Sequence, residues 1–87
     1  MESVTKYFAE LCNEERLAIA QAKHACEEIN LIFDHDITVD ETAMRMWAST
    51  WTWTESWNLK VMCHGTNWLD LSRDFIRALN EWALKEE

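Results

Sequence analysis

A chain of 87 residues with no proline and a single glycine, Gly65, has few means of turning sharply. Proline and glycine punctuate regular structure, so their scarcity predicts long elements with helix dominant. Three Phe, one Tyr and six Trp supply heavy packing material, which argues against a disordered tail. The length suits one domain, residues 1–87.

Val4, Phe8, Leu11, Ala18, Ala22, Ala25, Ile29 and Phe33 recur at three- and four-residue intervals, which predicts a helix from residue 3 to about 33. Such a helix would run ~45 Å, longer than the ~30 Å breadth of a compact domain this size. A bend near residues 13–15, where Glu15 interrupts the stripe, or a projecting end is therefore expected. The alanines on the stripe allow another element to approach closely. "DHDITVDE" reads as a loop. A short helix from Asp40 to about Ala48 follows, with Thr38 and Glu41 at capping-box spacing and Ala43, Met44 and Trp47 on its inner face.

Within residues 49–63, Trp51, Trp53, Trp57, Leu59, Val61 and Cys63 are odd-numbered, while the even positions are polar except Met62. Helical rotation would scatter the odd set, whereas a strand places it on one face. The reading is a β-hairpin with a loop at Thr54-Glu55-Ser56, Trp53 opposite Trp57 and Trp51 opposite Leu59, and its tryptophan face against the helices. Gly65 ends this element, and Asn67 caps a C-terminal helix over about 68–85 with Trp68, Leu71, Phe75, Leu79 and Trp82 inward. The fold class is α+β, mostly helical, with an all-α bundle as the alternative.

Candidate chemistry is sparse. His24, Glu28, Asp34, His35 and Asp36 include possible ligand types but not the spacing of a metal site. Cys63 beside His64 would face opposite sides of a strand, the wrong geometry for a thiolate–imidazole pair. Glu27 and Glu28 come with no substrate-binding motif. The reading is therefore a non-enzyme with no cofactor and no metal. Cys12, Cys26 and Cys63 are odd in number, which fits reduced thiols in the cytoplasm. No signal-like start or ~20-residue apolar run is present.

Charge is the most suggestive feature. The net charge is −8, and residues 1–41 hold ten acids against Lys6, Arg16 and Lys23. Direct binding to nucleic acid or anionic membrane is disfavoured, and Lys60 alone cannot make the hairpin tryptophans a basic groove for stacked bases. Between Lys23 and Arg45 lie Glu27, Glu28, Asp34, Asp36, Asp40 and Glu41 with no basic residue among them. These six are the candidate partner-binding residues, for a basic surface on a nucleic-acid-binding protein. The expected function is inhibition or modulation of a nucleic-acid-handling enzyme or complex by nucleic-acid mimicry. A phage counter-defence protein, anti-CRISPR or antirestriction, is one concrete form, by analogy of size and acidity. One or two exposed tryptophans could serve as interface anchors. The alternative is a self-associating helical structural or adaptor subunit, with a homodimer as its simplest form.

Overall fold

A computed structural model describes residues 2–37, 43–52 and 56–86, with side-chain surroundings from Asn13 to Lys85 within them. Helix α1 spans Glu2–Glu28, strands β1, β2 and β3 span Ile32–Ile37, Met44–Trp51 and Trp57–Gly65, and helix α2 spans Trp68–Glu86. The strands form an antiparallel sheet in the order β1-β2-β3. Both helices pack on one face of it, α1 against β1 and α2 against β2 and β3, and they also contact each other. This is an α+β fold.

Helix α1 runs unbroken through Asn13–Glu15 and stops earlier than the apolar spacing predicts. Asn30 adopts the left-handed conformation with φ 61°. The Asn30 N–H donates to the Glu27 carbonyl at 3.2 Å, and the Leu31 N–H donates to the Cys26 carbonyl at 2.8 Å. That pair of bonds is a Schellman closure, in which an αL residue satisfies the last helical carbonyls and turns the chain. Leu31 and Cys26, the two residues such a closure brings together, are both buried. Phe33 thus belongs to β1 rather than to the helix.

Two further expectations are corrected. "DHD" is strand, not loop: Phe33 and His35 turn toward the helices, where His35 stacks on Phe33 at 5.6 Å and meets Trp68 edge-on at 5.7 Å. The histidine acts here as a flat aromatic packing group. The short helix from Asp40 to about Ala48 is also replaced, because residues 44–48 belong to β2, whereas 40–42 lie outside the described residues. Alternation then buries Met46 and Ala48 completely.

The core collects Ala18, Ala22 and Cys26 from α1, Met46 and Ala48 from β2, and Trp68, Leu71, Phe75 and Leu79 from α2. Small residues on α1 let α2 come close enough for buried Ser72 Oγ to donate to the Ala18 carbonyl at 3.3 Å. Gly65 closes β3 at another tight approach, since a Cβ there would lie 3.2 Å from Leu71 Cβ. The cap of α2 is as expected: Asn67 Oδ1 accepts from the Leu69 and Asp70 N–H groups at 3.0 and 3.1 Å.

The hairpin exists, but its register and phase differ from the expectation. Trp51 pairs with Trp57 and Ser49 with Leu59, and Thr52 N–H donates to the Ser56 carbonyl at 2.9 Å, so the connection is residues 53–55. Trp53 lies outside the described residues. Between Ala48↔Val61 and Ser49↔Leu59, strand β3 carries one extra residue, Lys60. A bulge of this kind moves the side chains on its two sides onto opposite faces. Val61 and Cys63 therefore face the helices, as expected, while Trp57 and Leu59 face away with Trp47 and Trp51.

Candidate functional site

The face of the sheet turned away from the helices is the distinctive surface of this chain. It presents Ile32, Asp34 and Asp36 from β1, Arg45, Trp47, Ser49 and Trp51 from β2, and Trp57, Leu59, Met62 and His64 from β3. Trp51 and Trp57 are 49% and 58% exposed, yet their rings meet edge-to-face with centroids 4.7 Å apart. Ile32, Leu59 and Met62 are exposed beside them. Apolar surface gathered in this way on a small protein marks an interaction site more often than scattered single residues do.

Polar chemistry on this face is organised by the ladder between β1 and β2. Asp36 stands opposite Arg45, and Asp34 opposite Trp47. Arg45 binds Asp36 through two bonds, Nε to Oδ1 at 2.8 Å and Nη2 to Oδ2. Its guanidinium also lies 5.0 Å from the centre of the Trp47 ring, a cation–π contact. The hydrogen bond from Arg45 holds the Asp36 carboxyl below its ordinary value of 3.8, despite an opposing desolvation contribution. The same bond raises the Arg45 guanidinium above its ordinary value. Beside this cluster, Ile32, Asp34, Trp47, Ser49 and Trp57 line a pocket of about 370 Å³.

The structure distributes the six acidic candidates unevenly. Asp34 and Asp36 lie on the open face, with Asp36 engaged by Arg45. Glu27 and Glu28 are exposed in the last turn of α1, where Glu28 faces His24 at 3.3 Å. Glu27 lines a pocket with Lys23, Ile32 and Phe33 and so borders the sheet edge. Asp40 and Glu41 lie outside the described residues. Among the described residues, no ion pair engages Asp34 or Glu27. The tryptophans and Arg45 complete the surface. For Arg45 and Trp47 the signal was the alternation of β2, obscured by the expectation of a helix to about Ala48; Trp51 and Trp57 were expected on strands but on the helix-facing side.

The thiols are of a different kind. Cys26 is fully buried, and desolvation, aided by the charge of Glu27, pushes its pKa up to about 11. Cys63 is half-buried and raised chiefly by desolvation, then by Asp74. Both are free, and both are drawn away from the reactive thiolate form. Among the described residues, no three His, Cys, Asp or Glu side chains gather as a metal shell, and no helix is long and apolar enough to cross a membrane. Comparison with family models, curated proteins and solved structures finds no match for this chain.

Proposed function

We propose that this chain is a small acidic binding protein that docks on a basic surface of a nucleic-acid-handling enzyme or complex and inhibits or modulates it. The observation that carries this reading is the open sheet face, where Ile32, Trp51, Trp57, Leu59 and Met62 are exposed beside the carboxylate of Asp34. Tryptophan in such a setting is a favoured interface anchor. The partner's sign follows from charge: the chain carries −8, and Arg45, the one arginine on this face among the described residues, is already bound to Asp36. Carboxylates also occupy the last turn of α1, where the helix dipole disfavours them, although Glu28 there faces His24 one turn back. Both are exposed and add to the negative charge a cationic surface would meet. Phosphate mimicry, as in a phage counter-defence protein, is the specific form of this reading, and a cytoplasmic setting goes with it.

The test is capture of partners from the native host, followed by kinetics with the identified protein. Replacing Glu27, Glu28, Asp34 and Asp36 by Gln or Asn should slow association and flatten the salt dependence, and the partner's own nucleic acid should compete. A quadruple variant that binds like wild type at low salt overturns the mimicry. Self-association through the same apolar face is the second reading, although like charges on two copies oppose it. A concentration-dependent dimer in sedimentation, with no other partner captured, would favour it.

A further inference from the structure

Resting on the reading of the open face as a docking surface, we propose that the pocket formed by Ile32, Asp34, Trp47, Ser49 and Trp57 receives an arginine side chain of the protein partner. Its two indoles, one carboxylate and one hydroxyl suit a flat cation that stacks on a ring while donating hydrogen bonds from its edge. A volume of about 370 Å³ is ample for one long side chain.

The chain itself contains the template. Two residue pairs along the β1–β2 ladder, on the same face, Arg45 makes the ring and carboxylate contacts, with its guanidinium over Trp47 and its edge paired to a β1 carboxylate, Asp36. Asp34, opposite Trp47, repeats the carboxylate two residues earlier on the same face, and no cation among the described residues pairs with it. Its Oδ1 accepts from the His35 backbone N–H at 2.8 Å, which orients the carboxylate and leaves Oδ2 for an incoming donor. Ser49 is 7% exposed and lines the pocket, adding a further hydrogen-bonding group. Arginine fits better than lysine because its planar group can stack and donate along its edge at once, whereas an ammonium acts as a compact, strongly hydrated point charge.

The experiment titrates the full-length, isotope-labelled chain with acetyl-Gly-Arg-Gly-amide and with its Lys and Gln counterparts, following the indole N–H signals of Trp47 and Trp57. The Arg peptide should move both signals saturably and bind more tightly than the Lys peptide, and the Gln peptide should leave them in place. Asp34→Asn should weaken the Arg peptide about fivefold, on the scale of an exposed charge pair. Trp57→Leu, which keeps apolar bulk but loses the ring, should weaken it about threefold. Unchanged backbone amide spectra in both variants establish that the fold is intact. Equal shifts with Gln, equal affinity for Lys, or no effect of Asp34→Asn would overturn the assignment. Loss of peptide binding with partner capture retained removes this pocket alone. If instead a Glu27→Gln/Glu28→Gln variant keeps its partner at full strength while Asp34→Asn weakens it, the mimicry falls while the pocket stands.

Discussion

The two faces of the sheet are built from similar residues and do opposite things. On the helix side, Met46 and Ala48 are fully buried under Phe75, Leu71 and Trp68. On the other side, Trp51 and Trp57 touch each other but remain about half exposed. Hydrophobicity alone does not separate these sets. The separation comes from which strand positions the two helices cover, so large aromatics on the uncovered face add little to the core and remain available to a partner.

The largest expected effect tests that division. Phe75→Ala should cost about 3–5 kcal/mol in urea unfolding, the scale for emptying a buried aromatic site. Trp57→Ala, on the open face, should cost less than about 1 kcal/mol, close to the range of ordinary surface changes. Equal losses at the two positions would erase the distinction between the faces. Next is Gly65→Ala, which forces a methyl against Leu71 at 3.2 Å and should cost about 1–3 kcal/mol by overpacking. A neutral result would show that α2 is free to shift away from the end of β3.

The titrating groups sharpen the same contrast. Burial raises the Cys26 thiol from 9.0 to about 11, so the folded state favours the protonated form. Its stabilisation is complete below pH 9 and should be lost between pH 9 and about 11, while Cys26→Ala should remove that alkaline component. Slow alkylation of Cys26 in the folded protein is the companion expectation. On the open face the sign reverses. The Arg45 bond lowers the Asp36 carboxyl below 3.8, so its stabilisation is present above that pH and disappears as pH falls through the lower folded value. The effect should be small because the pair is solvent-accessible. Carboxyl NMR titration should show Asp36 moving back up in Arg45→Gln.

The same contrast explains which parts could be read from the sequence. Helix α2 was legible because its inward residues keep three- and four-residue spacing behind a cap at Asn67. A hairpin was legible because alternating Trp and Thr favour a strand. The end of α1 was missed because Asn30, in αL, terminates the helix inside an apolar pattern that continues to Phe33. Strand β1 was missed because His35 packs as an aromatic, and Asp34 and Asp36 have the composition of a loop. The phase of the hairpin was hidden by Lys60. Odd-numbered alternation runs evenly from Trp57 to Cys63 in the sequence, but one bulged residue puts its two halves on opposite sides of the sheet. Of the acidic site, Asp34, Asp36, Glu27 and Glu28 could be found from charge alone. The aromatic surface beside Asp34 could not, because it exists only once three strands and one bulge are in place.

The central claim is that the uncovered aromatic face is where this chain meets its partner. The most direct measurement compares partners captured from the native host by the wild-type chain and by a Trp51→Thr/Trp57→Thr variant, which removes the rings without adding charge and whose fold is verified by circular dichroism and urea unfolding. The expected result is a salt-sensitive partner retained by wild type and lost by the variant, with the fold and its stability little changed. Recovery of the same partner in equal amount by the folded variant would contradict the claim.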